Sequence, residues 1–409
     1  MTTPHDTPKA LEGYRVLDLA DERGSYCGKL LADLVADVIK VEPPSGNHAR
    51  DLGPFWHGTP HRERSLVCWF LNTSKRGITL DIEHHDGRDL FRRLAKTADA
   101  VIETFQPGHL DSLGLGFDDL RKVNEKVVLT SITGFGQTGP YKDFKSDEMI
   151  AMAMGGVMHS NGVPVRPPVR SRMPLMSYLS SMHAAQGTLM ALRARKRTGK
   201  GQHVDISMQE TASTMLCEFG VNSYLGPNKF YLQRWYGGDR PRSIPFGNYP
   251  CKDGYVSLII TRPAHWTQFV QWCSEVTGNT EILDEKYEGD RGQHIPVLRP
   301  IIEDFSKRFT KAELYAEGQK RHLTFVQVST TKEVAEHKQL EARHYWQDIE
   351  HPELGAKVRY PGAPYMMTSS PSRIRRRPPL LGEHNEEVYC KESGLTKADL
   401  AALQEARVV

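Results

Sequence analysis

The stretch that decides the fold is YRVLDLADERGSYCGKLLADLVADVIKVE, residues 14–42. YRVLDL (14–19) has the length and apolar character of a buried strand, and VIKVE (38–42) has the same character. Between them, residues 26–36 follow the pattern of an apolar helix. A strand, a helix and a strand within about 30 residues form a βαβ unit, which places its two strands in parallel. The sequence therefore predicts that the chain opens on a parallel α/β sheet.

The same alternation continues toward the middle of the chain. We predict further strands and helices, namely strands at GITLDI (77–82), DAVIETF (99–105), KVVLTSITGF (126–135) and HVDISM (203–208), and helices at 86–98 and 117–123. This pattern is typical of a parallel α/β sheet with helices on both faces. The stretch near 225–250 is punctuated by Gly and Pro and indicates a linker. A strand at 255–260 and helices near 263–275 and 298–318 then predict a second region.

Composition limits the class of protein. The 409 residues include 53 Lys and Arg and 50 Asp and Glu, a net charge of +3, without the basic excess of a nucleic-acid-binding protein. No segment approaches the roughly 18 apolar residues of a membrane helix, and the first residues lack a signal-peptide core, so we expect a cytoplasmic protein. Six dispersed cysteines without a CxxC pair predict reduced thiols. His57 and His61 lie in a Gly- and Pro-rich loop, so we expect no metal site.

Two common site motifs are missing from the sequence, and the glycines after the first strand do not form a third. GSYCG (24–28) does not spell GxGxxG, so a tight turn between strand and helix is favoured over dinucleotide binding. There is neither a GxxxxGK[ST] phosphate loop nor a GxSxG nucleophile elbow.

One stretch stands out by its charge. Residues 149–204 contain no Asp or Glu, but they include eight basic residues, Arg166, Arg170, Arg172, Arg193, Arg195, Lys196, Arg197 and Lys200. A cationic surface of this kind suits an anionic ligand such as a phosphate-bearing cofactor. Alternatively, part of the stretch is buried core, where Met and Ala are common. Composition alone leaves both interpretations open.

Motifs along nearly the whole chain resemble the family III CoA-transferases, the group that includes carnitine and formyl-CoA transferases and α-methylacyl-CoA racemase. The motifs follow in order, from LEGYRVLDLA and LLADLVADVIKVEPPSGNHAR through NTSKRGITLD, ADAVIETFQPG, LGLGFDDL, SITGFGQTGP, TGKGQHVDISMQE and IPFGNYPCKDGYVSL to PPLLGEHNEEV. The resemblance implies a Rossmann-like large α/β domain formed by both chain ends, a smaller inserted domain, and two chains interlocked as a dimer. On this basis we predict a large domain over 1–224, a small domain over 225–325 and a return segment over 326–409 that completes the large domain.

The resemblance also implies that coenzyme A, as an acyl-CoA substrate, binds the large domain. Leu80, Phe105 and Lys145 match CoA-contacting positions, with Lys145 pairing with a phosphate. Thr104 stands in the same motif, where the family usually has Asn, and we predict that it also binds CoA. Other departures from the family pattern are Gln106 for Arg or Lys, Asn47 for an acid and Val35 for Gly, so a reshaped CoA site is expected.

The family nucleophile is implied to be missing. Family transferases use an Asp carboxylate that forms a mixed anhydride and then an aspartyl-CoA thioester. Counting back from the TGKGQ motif puts this position at Ser177, inside the stretch without acids. Ser177 would need a base, and the only nearby candidate is His183, six residues away. Asp147, at the position of the racemase His, and Glu148 remain candidate acids at the pocket edge, although a role at a helix N-terminus is equally plausible for them.

A family scaffold without its nucleophile resembles the Asp-lacking subunit of the family's heteromeric transferases. This implies a paralogous Asp-bearing partner, and CoA transfer from a donor such as succinyl-CoA to a carboxylic acid such as an arylmethylsuccinate in anaerobic aromatic degradation. Two alternatives remain open: an acyl-CoA isomerase, racemase or lyase on the same scaffold, or a CoA-binding protein without turnover.

Overall fold

The fold was analysed in a computed structural model, which describes residues 9–216, 222–225, 234 and 244–409. The chain divides into two compact units. The first comprises Met1–Val157, Ser171–Asn222 and Glu341–Val409, and the second comprises Met158–Arg170 and Ser223–Leu340. The second unit ends at Leu340. The predicted small domain ends at residue 325, so the second unit extends further along the chain than predicted. Most of the linker predicted at 225–250 lies outside the described residues.

A six-stranded parallel sheet forms the centre of the first unit. Its strands are β1 (Arg15–Asp18), β2 (Asp37–Glu42), β3 (Arg76–Thr79), β4 (Ala100–Glu103), β5 (Val128–Thr133) and β6 (His203–Ser207). Their order is β3-β2-β1-β4-β5-β6, so the direction in which strands are added reverses between β1 and β4. This order is that of the Rossmann fold, and it confirms the prediction of a Rossmann-like parallel α/β sheet in the large domain.

Helices connect these strands and extend beyond them. Along the chain they are α1 (Ser25–Asp33), α2 (Leu66–Leu71), α3 (His85–Ala95), α4 (His109–Ser112), α5 (Phe117–Val123), α6 (Glu148–Met154), α7 (Val157–Ser160), α8 (Leu175–Thr198), α9 (Met208–Leu216), α10 (Asn222–Leu225), α11 (Pro263–Thr277), α12 (Ile295–Lys307), α13 (Lys311–Lys320), α14 (Thr331–Ala335), α15 (Lys338–Ala342) and α16 (Lys397–Glu405), with a π-helix at Glu386–Glu392. No helix in the described ranges is both long and apolar enough to cross a membrane.

The glycines after β1 serve close packing. A Cβ atom on Gly28 would lie 2.2 Å from Oδ2 of Asp18, so only glycine lets α1 pack directly against β1. Asp18 is fully buried, and its carboxylate accepts a hydrogen bond of 2.6 Å from the buried Lys75 amine. The GSYCG stretch therefore brings a helix close to a buried ion pair.

Segments from both ends of the chain form the first unit, as the family resemblance implied. The core of the sheet includes Val388, Tyr389 and Leu400 from the C-terminal segment. The Tyr389 hydroxyl donates a hydrogen bond of 2.7 Å to the carbonyl of Thr79 in β3. The same unit carries the antiparallel hairpin of β10 (Trp346–His351) and β11 (Ala356–Pro361).

The second unit has its own sheet and core. Strands β7 (Phe246–Cys251), β8 (Gly254–Ile259) and β9 (Thr324–Gln327) pair antiparallel. The prediction of one helix near 298–318 is wrong, since the structure has two helices there, α12 and α13. Thr310 explains the break because its side chain accepts from the Glu313 N–H while Glu313 bonds back to Thr310, which starts a new helix.

Candidate functional site

A pocket of about 540 Å³ opens at the carboxyl ends of four neighbouring strands in the first unit. It is lined by the segments that follow β1, β2, β3 and β4, namely by Leu19, Asp21, Arg23, Val41, Pro43, Gly46, Asn47, His48, Leu80, Asp81, Ile82, Glu83, Thr104, Phe105, Gln106 and His109. In open α/β sheets, ligands bind beyond the carboxyl ends of the strands, where the strand order reverses. The reversal between β1 and β4 lies within this pocket, which makes it the candidate ligand site.

The pocket brings together three of the four predicted CoA-contacting residues. Leu80 follows β3, while Thr104 and Phe105 follow β4, and all three line the pocket. Lys145 is not among its lining residues but lies exposed in the segment before α6. Two of the positions that depart from the family pattern, Asn47 and Gln106, also line the pocket.

Arg23 is a pocket cation that sequence reasoning missed. Its guanidinium donates to both carboxylate oxygens of Asp21, and Nη2 also donates to the Thr104 carbonyl at 2.9 Å. Burial alone would lower the pKa of Arg23, but the hydrogen bond and negative charge of Asp21, together with the charges of Glu22 and Glu103, more than offset burial and raise the pKa. A fixed arginine suits phosphate recognition. The sequence signal that could have revealed Arg23 is its position in the segment after β1, a strand that borders the reversal of strand order.

Glu103, the last residue of β4, is buried behind the pocket wall. Its Oε2 accepts a 2.6 Å hydrogen bond from the backbone N–H of Phe105. Burial raises the pKa of Glu103 to about 7, although the hydroxyl of Ser131 on the neighbouring strand bonds to its carboxylate. Ser131 in turn lies 2.8 Å from Nε2 of His203 on β6. A buried carboxyl group is thus connected by hydrogen bonds to a surface histidine.

Ser177 lies in the first turn of α8, and a carboxylate from another helix reaches it. Glu148 Oε1 accepts from the Met176 N–H at 2.7 Å. Glu148 Oε2 accepts from the Ser177 N–H at 3.0 Å and from the Ser177 hydroxyl at 2.9 Å. Because Pro174 provides no side-chain cap, Glu148 satisfies the free N–H groups of this helix end. The contact joins two of the candidate residues, but it uses both oxygens of Glu148.

The other two catalytic candidates lie elsewhere. Asp147 caps α6, since its Oδ1 accepts from the Ile150 N–H at 2.9 Å. His183 is exposed on α8, whereas Ser177 is buried and gives its hydroxyl to Glu148. The structure therefore supports the helix-terminal role for Asp147.

Most basic residues of the acid-free stretch within the first unit lie away from the pocket. Arg193, Arg195, Lys196 and Arg197 belong to the last turns of α8, which at 24 residues is about 36 Å long. Arg195 pairs at 2.6 Å with Asp99, directly before β4, so this end of α8 is at the amino-terminal edge of the sheet. The Ser177 end lies near the opposite edge, where Ser181 donates to the Arg23 carbonyl. The basic residues at this end of α8 therefore lie at the edge of the sheet opposite the candidate pocket.

The described residues include one group of possible metal ligands and five free thiols. Among the described residues, the one group of three possible metal ligands within reach of each other is His84, His85 and Asp86, which begins the largely exposed end of α3. His61 instead accepts a hydrogen bond from the Glu63 N–H. Cys27, Cys68, Cys251, Cys273 and Cys390 are free, and Cys217 lies outside the described residues.

Comparison with known proteins gives a consistent result. The sequence profile of CoA-transferase family III matches residues 11–385. The chain is 33% identical to succinyl-CoA:(R)-benzylsuccinate CoA-transferase subunit BbsE of Thauera aromatica, over 92% of each chain. It is 32% identical to succinyl-CoA–D-citramalate CoA-transferase of Chloroflexus aurantiacus, over 98% of each chain. The crystal structure of a CAIB/BAIF family protein from Brucella suis superimposes with a TM-score of 0.84 at 30% identity, covering 94% of this chain and 99% of the other.

Proposed function

Because this chain belongs to CoA-transferase family III, we propose that it takes part in CoA transfer as the subunit that lacks the nucleophilic carboxylate. The transfer moves CoA from an acyl-CoA to a carboxylic acid. In this reading the chain completes a heteromeric enzyme and binds a CoA thioester or supports the partner that binds it.

The observation that carries the proposal is the chemistry at the start of α8. Ser177 stands where the resemblance predicts the family Asp, and residues 149–204 contain no carboxylate that could replace it. A serine hydroxyl needs a base to act as a nucleophile, but its proton here points to Glu148, which already holds two backbone N–H groups. Neither residue is arranged to form and release the mixed anhydride.

We propose that the pocket at the strand ends holds the ADP part of a CoA thioester. Leu80 and Phe105 would offer apolar contacts, and Arg23 would present a fixed cation for a phosphate. The 540 Å³ volume lies in the usual range for small-molecule sites. Lys145 would contribute a second cation from outside the pocket, at a position exposed to solvent.

The substrates follow from the chemistry that the relatives' names share. Both named enzymes take CoA from succinyl-CoA, and both acceptors, (R)-benzylsuccinate and D-citramalate, are dicarboxylates. We propose succinyl-CoA as donor and a dicarboxylate of the arylmethylsuccinate type as acceptor, in anaerobic aromatic degradation.

The proposed partner is a paralogous chain that bears the Asp. Support comes from the relative BbsE, which is named as a subunit. The two chains would interlock through the large and small domains, and the partner would supply the nucleophile.

Co-expression tests this function directly. The chain is purified alone and together with an Asp-bearing paralogue, and CoA transfer from succinyl-CoA to benzylsuccinate is measured for each. We expect transfer only from the complex. Full activity of the chain alone would overturn the assignment. Changing the partner's Asp to Asn is the matched control, and it should abolish transfer while leaving the complex intact.

A different chemistry on the same scaffold would use Glu148 as a base. The observation that favours it is the position of this carboxylate beside Ser177. Its three donors occupy the oxygens that would take a proton, which argues against the role. Loss of an isomerase or lyase turnover in Glu148→Gln, with CoA binding retained, would establish it instead. CoA binding by the lone chain, without any turnover even in the complex, would indicate a binding protein.

A further inference from the structure

Behind the pocket wall, three polar side chains lie next to one another on neighbouring strands. Glu103 on β4 and Ser131 on β5 are register partners, and both are at most 3% exposed. Ser131 Oγ lies 2.8 Å from Nε2 of His203 on β6. His203 is exposed and lines, together with Glu103 and Ser131, a second cavity of about 330 Å³.

The buried end of this row of side chains holds the wall of the CoA pocket. Glu103 Oε2 binds the Phe105 N–H at 2.6 Å. On the other side, Thr104 is held by the segment after β1, since its hydroxyl accepts from the Asp21 N–H and its carbonyl accepts from Arg23, both at 2.9 Å. The position of the segment Thr104–Gln106 therefore depends on Glu103 from behind and on the Asp21–Arg23 pair in front.

We propose that Glu103, Ser131 and His203 form a proton relay through which the ionisation of Glu103 positions the Thr104–Gln106 wall and so sets the affinity for CoA. This inference rests on the proposed CoA site. Glu103 acts as a positioning residue, because it reaches the ligand through the backbone of Phe105.

The relay transfers one proton from Glu103 to solvent. The O–H bond of Glu103 breaks as its proton passes to Ser131 Oγ, and the former Ser131 proton forms a new bond to His203 Nε2. The proton on Nδ1 of His203 then leaves to water in the second cavity. This route gives a carboxyl group that is 3% exposed a path to solvent.

The charged groups around the relay favour ionisation near neutral pH. Burial raises the pKa of Glu103 to about 7, while Arg23 lowers it and Asp21 raises it. Burial lowers the pKa of His203, which Asp205 and Asp111 oppose. Lys142 lies on the wall of the second cavity. Arg23 faces Glu103 and offsets its charge, so ionisation acts on the pocket mainly by strengthening the bond to Phe105.

The direction of the effect follows from hydrogen-bond strength. An ionised acceptor makes a stronger bond to a backbone N–H than a neutral one, by a factor of about five in the equilibrium constant. Raising the pH through 7 should therefore fix the wall and tighten CoA binding about fivefold.

The test is a CoA titration of the full-length chain at pH 6 and pH 8, in wild type and Glu103→Gln. Because CoA ionises identically in both experiments, the ratio of the two affinities isolates Glu103. We expect this ratio to rise about fivefold toward pH 8. The exposed Glu125→Gln, at the opposite edge of the sheet, is the control and should behave as wild type.

A second variant tests whether Ser131 takes part in the ionisation of Glu103. Ser131→Ala removes a hydrogen bond that favours the charged form, so the midpoint of the pH response should move to higher pH. A midpoint that stays in place, or a wild-type to Glu103→Gln ratio that is constant or falls, would overturn the relay while leaving the CoA site intact. Absence of CoA binding at both pH values would overturn the CoA site and the relay together.

Discussion

At the scale of single residues, Val35 is a β-branched residue in a position built for glycine. Its φ is +80°, in the left-handed region. The Val35 N–H bonds to the Ala32 carbonyl and the Ala36 N–H bonds to the Leu31 carbonyl, the paired bonds that end a helix in a Schellman motif. We expect Val35→Gly to raise the free energy of unfolding by about 1 kcal/mol, since the relieved strain exceeds the entropy cost of glycine.

Urea unfolding of wild type, Val35→Gly and Val35→Ala measures this effect. Alanine keeps the Cβ atom that causes the strain, so Val35→Ala should not gain stability. A glycine variant less stable than wild type would show that the packing of the half-buried Val35 side chain outweighs the strain.

The ionisation of Glu103 also predicts how stability depends on pH. Its pKa is raised from 4.5 to about 7, so between these values the folded protein keeps a proton that the unfolded chain has released. The contribution of Glu103 to the free energy of unfolding is therefore fully present below pH 4.5. It is lost as the pH rises to 7, by at most about 3 kcal/mol. We expect Glu103→Gln, which cannot ionise, to gain stability relative to wild type between pH 5 and pH 7.5. Denaturant unfolding at both pH values checks this, and an unchanged difference would contradict it.

At the scale of elements, the C-terminal segment depends on a few buried polar contacts with β3. Tyr389 is fully buried, and its hydroxyl donates to the Thr79 carbonyl at 2.7 Å. Removing that hydroxyl leaves a buried carbonyl short of a partner. We expect Tyr389→Phe to lower the free energy of unfolding by about 1–2 kcal/mol, measured by denaturant unfolding.

Tyr315→Phe is the matched control because this tyrosine is 43% exposed. Its variant should remain within about 0.5 kcal/mol of wild type. If both variants lost the same stability, the Tyr389 hydrogen bond would not be what holds the C-terminal segment to the sheet.

At the scale of the whole molecule, sequence patterns predicted the features that recur along the chain, which are the alternating strands and helices of the parallel sheet. The family resemblance indicated Leu80, Thr104 and Phe105, and these residues meet because parallel strands place their carboxyl ends at one edge of the sheet. The composition of residues 149–204 could not place its cations, since α8 carries Ser177 and Arg195 to opposite edges of the sheet. The contact of Glu148 with Ser177 spans 29 positions in the chain and leaves no local signal. The helix-terminal role of Asp147 was open in the sequence, and its bond to Ile150 supports that role.

A partner subunit would explain an unusual amount of exposed apolar surface on α6, on α8 and in the segment before α8. The exposed methionines there are Met149, Met154, Met173, Met182 and Met190, each at least 43% accessible. Exposed apolar side chains that form a patch are typical of interaction sites. We expect native mass spectrometry of the co-expressed proteins to show a heteromer, and hydrogen peroxide to oxidise these methionines more slowly in the complex than in the lone chain.

Met152 and Met176, which are buried, serve as internal controls and should react slowly in both samples. Equal oxidation of the exposed methionines in both samples would place the partner on a different face of the chain, and a co-expressed sample containing no heteromer would remove the basis for a subunit role.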